Sequence, residues 1–178
     1  KAGRLEEAVT ASRRGLALKP RDAKAQLNTG NLLSTLGRHA EAVTHLRSAL
    51  EIDPALFDAY NNLGNALLDC DDAPLHSAEA EQCYLKASRL RPDSAEPHMN
   101  LGSLLMDLGR HDESERSYRR AIELRPDYQD AISGLARLMD QRGEFDSALQ
   151  MLRPFLDADN PGIGVLLAYA RIARQFDS

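Results

Sequence analysis

Apolar and polar positions along this chain recur with the period of helices rather than strands. From Phe57 to Leu68 the positions Tyr60, Leu63, Gly64 and Leu67 fall at i, i+3, i+4 and i+7, one stripe of an amphipathic helix. A second helix is predicted from about Ser77 to Leu90, with Ala80, Tyr84, Ala87 and Leu90 on its stripe. Pro92 then closes the pair. Proline has no N–H to donate, and it biases the residue before it towards an extended backbone.

This two-helix pattern returns along the chain. Pro20, Pro54, Pro92 and Pro126 are 34, 38 and 34 residues apart, and Gly30, Gly64 and Gly102 keep that spacing, with Ala136 next in line. Ala8, Ala42, Ala80, Ser114 and Ala148 form another column; Gly15, Ala49, Ala87 and Ala121 a fourth; and the turn glycines Gly3, Gly37, Gly109 and Gly143 a fifth. Columns sharing one period mark a repeat protein. A glycine inside a helix costs about 1 kcal/mol relative to alanine. Its recurrence predicts a close helix crossing, against the small residue of the second helix. The units are expected at 23–56, 57–94, 95–128 and 129–162, with a partial unit at 1–22 and a half unit at 163–178. Both ends then fall inside a unit, as in a piece of a longer chain.

Two places break the pattern. The unit at 57–94 is four residues longer, with the excess between its helices around Asp69-Cys70-Asp71-Asp72-Ala73-Pro74. Either this acidic loop, with Cys70 and nearby His76, holds a cation or partner, or it is an insertion with Pro74 starting a slightly longer helix. The second reading is the simpler. Pro154 is predicted to kink or end its helix, Phe155 stands where alanine is expected, and Asn160-Pro161-Gly162 follows.

Thirty-four residues, two helices and the signature Leu63-Gly64, Leu101-Gly102, Ala80, Tyr84 and Pro92 resemble the tetratricopeptide repeat (TPR). The fourth position carries Gln26, Tyr60, His98 and Ile132 in place of the family's tryptophan. The resemblance implies an all-α fold, a right-handed α-solenoid or superhelix of antiparallel helix pairs, its concave groove lined by the first helix of each unit. Groove positions would include Lys24, Leu27, Asn28 and Asn31; Asp58, Asn61, Asn62 and Asn65; Glu96, Met99, Asn100 and Ser103; and Asp130, Ser133, Gly134 and Arg137.

Asn28, Asn62 and Asn100 share one place, two residues before each glycine. Asparagine is a poor helix-interior residue, yet its amide offers both a donor and an acceptor to a peptide main chain. These repeats are similar to the superhelical TPR domain of O-linked N-acetylglucosamine transferase, and to bacterial TPR proteins. That resemblance implies that Asn28, Asn62 and Asn100 contact extended polypeptide, with the ladder lapsing at Gly134. The alternative is that these amides bond neighbouring repeats or water. Asn31 and Asn65 would match the asparagines of the family's carboxylate clamp. Leu27, Glu96 and Asn100 stand where its cations belong, and an unpaired buried carboxylate is costly.

Composition adds limits. The 178 residues are 43% apolar, 28% charged and only 5% aromatic, without tryptophan. Such a core must be built from leucine and alanine, which favours helices. The balance of 22 Lys+Arg against 27 Asp+Glu, net −5, argues against a nucleic-acid surface, and no apolar run is long enough for a membrane span. Asp58, Asp69, Glu96, Asp107, Asp130 and Asp140 outnumber Lys24 and Arg137 on the inferred groove side, so a preference for neutral or basic segments is expected. Two cysteines point to a reducing compartment, hence a cytoplasmic expectation. No ligand spacing among His39, His45, His76, His98, His111, Cys70 and Cys83 forms a metal motif. No nucleophile or phosphate-loop motif occurs either, so neither catalysis nor a cofactor is expected. Cys83 reads as a packing residue, and the charges of Arg116–Arg120 as intrahelical ion pairs with Glu113, Glu115 and Glu123.

The resulting expectation is a module binding an extended peptide or partner protein in its groove. The rival is the substrate-recruiting arm of a larger glycosyltransferase or sulfotransferase. An RNA-binding helical repeat is disfavoured by the acidity and the closing prolines. Uncapped ends leave edge-to-edge self-association open.

Overall fold

A computed structural model describes residues 2–71, 73–156 and 162–175. The chain divides into two units, Lys1–Pro92 and Asp93–Ser178. Among the described residues every regular element is a helix. The first unit holds α1 (Ala2–Leu18), α2 (Ala23–Thr35), α3 (His39–Ile52), α4 (Phe57–Leu68) and α5 (Ala73–Leu90). The second holds α6 (Glu96–Asp107), α7 (His111–Leu124), α8 (Gln129–Gln141), α9 (Phe145–Leu156) and α10 (Ile163–Ala173). This is an all-α solenoid built from helix pairs.

Short turns make successive helices neighbours. The hairpins α2–α3, α4–α5, α6–α7 and α8–α9 pack internally, and each first helix also touches the next first helix of its unit: α2 with α4, α6 with α8, and α8 with α10. The first helices of a unit thus form one wall and the second helices sit behind it. At the turn after α2, Gly37 adopts φ 74°. Its N–H bonds Ser34 O at 2.9 Å, and Arg38 N–H bonds Leu33 O at 2.9 Å, the two bonds of a Schellman ending. Gly109 and Gly143 repeat it with φ of 72° and 76°. Gly3 does not, because it lies within the first turn of α1.

The helix-interior glycines have a different partner from the one expected. A methyl group on Gly64 would lie 2.5 Å from Tyr84 Cε1; on Gly102, 2.8 Å from Tyr118 Cδ1; on Gly30, 2.7 Å from Leu46 Cγ. The space left by glycine is filled by a large side chain one turn beyond the small-residue column, not chiefly by the small residue. That column still closes on the crossing: the buried Ser114 hydroxyl donates to Gly102 O at 2.7 Å. Leu33, Leu46, Leu67 and Tyr84 form the buried interior of the first unit, and Tyr118, Leu138, Leu152 and Ile172 that of the second, each 2% exposed or less.

The two irregular places resolve in opposite directions. α5 begins at Ala73 with Pro74 in its first turn, one turn earlier than Ser77, so part of the extra length becomes helix. Asp72 lies outside the described residues. α9 runs through Pro154 to Leu156, so the proline does not end the helix where it stands. It forfeits the N–H bond to the carbonyl one turn back, and only Phe155 and Leu156 of the helix follow it. Residues 157–161, including Asn160 and Pro161, lie outside the described set, and α10 packs on α8 and α9 beyond them.

Ion pairs lace the outer surface. Within α7 the pairs Arg119–Glu115 at 2.8 Å and Arg120–Glu123 at 3.0 Å are intrahelical, as expected from the sequence. Arg142 additionally reaches Asp112 at 2.7 Å and Glu115 from the neighbouring hairpin. No local pattern announces that contact.

Candidate functional site: the first-helix walls

In the first unit α2 and α4 bring several amides together. A cavity of about 370 Å³ is lined by Asn31, Ser34, Thr35, Asn62, Asn65 and Asp69. Asn62 Nδ2–H donates to Asn31 Oδ1 at 2.8 Å, and the Tyr84 hydroxyl donates to Asn65 Oδ1 at 2.8 Å. Part of the amide capacity is thus spent inside the fold, which orients what remains. An asparagine amide carries two donors and an acceptor with two lone pairs. Asn28 is exposed one turn before Leu32 and does not line this cavity. Asn61 and Leu27, expected in the groove, are instead 2% and 9% exposed. Each sits on the side of its helix that packs inward. Asp58 is exposed with Arg91 Nη1 3.7 Å away, and the Arg91 guanidinium also covers the Phe57 ring at 3.9 Å.

The wall of the second unit is more mixed. A cavity of about 360 Å³ is formed by α6, α7, α8 and α10, with Met99, Ser103, Tyr118, Asp130, Arg137 and Leu167 among its lining. Gly134 admits the Tyr118 ring, since a methyl there would lie 2.5 Å from Cζ. The lapse of the asparagine column at Gly134 therefore has a packing cause. Burial pushes the Tyr118 hydroxyl's pKa up, opposed by the adjacent Ser103 hydroxyl and Arg137 guanidinium. Asp140, 9% exposed at its side chain, is neutralised by Arg171, a cation the sequence did not place in the groove. Glu96 is exposed in the first turn of α6, and Asn100 is half-buried one turn later.

The acidic loop of the first unit opens on a third cavity, of about 630 Å³, where His39, Arg47, Asp69, Cys70, Asp71 and His76 meet. His39 Nδ1 is buried without a hydrogen-bond partner, 3.8 Å from Asp69 Oδ2. The Cys70 thiol donates to Ala66 O at 3.2 Å. Among the described residues no three His, Cys, Asp or Glu side chains group as metal ligands. Cys83 is buried in the hairpin, and desolvation pushes its thiol up to about 12, as suits a packing residue.

Antiparallel helix pairs stacked through their first helices define a helical-repeat protein of the α-solenoid class, whose use is to present an extended surface to other proteins. Three family models described as TPR repeat or tetratricopeptide repeat match residues 30–69, 76–129 and 105–172. The chain belongs to the tetratricopeptide repeat family. Its sequence is similar to human protein O-mannosyl-transferase TMTC1, 38% identical over 63 residues, covering 35% of this chain and 7% of that protein. The chain thus spans a small part of that relative. Its fold is similar to that of Pseudomonas aeruginosa PilF, with a TM-score of 0.82 at 23% identity over 98% of this chain and 78% of the other. It is also similar to YrrB, described as a TPR protein with an unusual peptide-binding site, with a TM-score of 0.72 at 22% identity over 94% and 84% of the two chains. Among the described residues no helix is long and apolar enough to cross a membrane.

Proposed function

We propose that this chain is a protein-interaction module whose first-helix walls hold extended segments of a partner polypeptide. The observation that carries the reading is the amide cluster of the first unit. Asn31, Asn62 and Asn65 converge on one cavity with an internal Asn62–Asn31 bond. An amide fixed by one bond presents its remaining donor and acceptor in a set direction, so less conformational entropy is lost on binding. A main chain needs that pairing of donor and acceptor, and it is met without reading side chains. Asn28 and Asn100 extend the same role along α2 and α6, with Asp58, Glu96 and Arg137 setting charge preference. The acidic bias is smaller than the residue count implies, because Arg171 neutralises Asp140 and Arg91 stands beside Asp58.

The test is binding to an array of synthetic peptides of matched length, measured for the parent chain and for Asn31→Ala/Asn62→Ala. Binding of neutral or arginine-containing peptides, weakened at least tenfold in the variant with its helical circular dichroism unchanged, is the expected result. Unchanged binding, or stronger binding of glutamate-containing peptides to the first unit, refutes the assignment. A second reading, the substrate-recruiting arm of a larger glycosyltransferase, is favoured by the similarity to an O-mannosyl-transferase over 63 residues. Transfer assays on the parent protein with and without this segment would decide it, since an arm that recruits substrate must change KM.

A further inference from the structure

The wall of the second unit carries two charges that have no ion-pair partner among the described residues. Asp130 and Arg137 are both exposed on α8, and both line the cavity of about 360 Å³. Arg171 and Asp140 satisfy one another in the same cavity. Neither Asp130 nor Arg137 forms an ion pair among the described residues. They are seven positions apart, two turns of one helix, which puts them on the same face with about 10.5 Å of rise between them.

From this juxtaposition we propose that the second unit reads a charge pair: an extended peptide segment bearing one basic and one acidic residue three positions apart. The inference rests on the peptide-binding reading above and names its ligand. A polyproline-type segment turns once every three residues and rises about 3.1 Å per residue. Its residues i and i+3 therefore lie on one edge about 9 Å apart, close to the spacing on α8. The basic side chain meets Asp130 and the acidic one meets Arg137. Between the two charges lies Gly134, whose side-chain position is taken by the Tyr118 ring, so that ring forms the floor of the cavity between them. Leu167, 66% exposed on α10, and Met99 on α6 flank the cavity and offer apolar contact to a residue between the charges. Isolated like-charged segments satisfy one group and repel the other, so the pair selects for opposite signs at one spacing.

The experiment measures fluorescence anisotropy of labelled synthetic peptides on the full chain. Four peptides of equal length are compared: acidic-x-x-basic, basic-x-x-acidic, the two charges adjacent, and a neutral glutamine version. The expected result is that one of the two spaced orders binds about fivefold tighter than the neutral peptide. The advantage disappears in Arg137→Gln and in Asp130→Asn. It passes to the opposite order in the double reversal Asp130→Lys/Arg137→Glu, with circular dichroism reporting that each variant remains folded. Transfer of preference by the double reversal is a readout that mere loss of packing does not produce. Equal binding of spaced, adjacent and neutral peptides, or an advantage that survives both single variants, overturns the inference. If the neutral peptide still binds and still depends on Asn31 and Asn62, only the charge-pair assignment falls. If no peptide binds at all, the peptide-binding reading falls with it.

Discussion

Replacing Gly64 by alanine sets two well-defined effects against each other. Alanine in a helix interior is favoured over glycine by about 1 kcal/mol. The new methyl would lie 2.5 Å from Tyr84 Cε1, 2.8 Å from Cζ and 3.0 Å from Cδ1. Tyr84 is 1% exposed and its hydroxyl is bonded to Asn65 Oδ1, so the ring moves only by disturbing a packed interior and that bond. Overpacking of this kind costs about 1–3 kcal/mol, and a lost hydrogen bond adds about 1 kcal/mol. Gly64→Ala is therefore expected to destabilise the chain by about 1–3 kcal/mol net. Gly15→Ala is the internal comparison. It too lies in a helix, but nothing approaches within 4 Å of the added methyl, so only the propensity gain of about 0.5–1 kcal/mol applies. Urea unfolding followed by far-ultraviolet circular dichroism separates the pair, and Gly64→Ala/Tyr84→Ala should cost less than the sum of its parts. If Gly64→Ala stabilises as Gly15→Ala does, the account of the glycine column is wrong.

Two further outcomes follow from charge placement. Arg171→Ala leaves the carboxylate of Asp140, 9% exposed, without its cation and should cost about 2–3 kcal/mol, recovered in part by adding Asp140→Asn. Arg142→Ala loses Asp112, 87% exposed, and Glu115, which keeps Arg119 as a partner; it should cost less than about 1 kcal/mol, and equal losses would refute the distinction. Hydrogen bonds from Arg38 and then Arg13 hold the Glu41 carboxyl down at about 2, against an ordinary 4.5. Its folded-state pKa is depressed, so its stabilising contribution is complete above about pH 4.5 and fades as pH falls towards 2. Thermal melts across that window should show a shallower decline for Glu41→Gln than for the parent chain, and parallel curves would remove Glu41 from the explanation.

Much of this molecule is written in its chain because a repeat states each requirement several times. Proline, turn glycine, interior glycine and small-residue columns located the helices, and a short turn leaves a second helix little choice but to pack on the first. Pro74 marked the start of α5, and the ion pairs inside α7 followed from spacing along one helix. What lay beyond the sequence were relations between residues on different helices. Tyr84 and Tyr118 fill the glycine notches, a choice between large and small neighbours that helical periodicity does not make. Asn61 and Leu27 are buried because neighbouring helices pack against that side of α4 and α2, a side that the position in the repeat alone does not assign. Arg171 neutralises Asp140 because α10 lies beside α8, so a charge count along the first helices overstated the acidity of the wall. Local propensity decides where a helix runs. Only the packing of one pair on the next decides which charges and amides on its face stay available to a ligand.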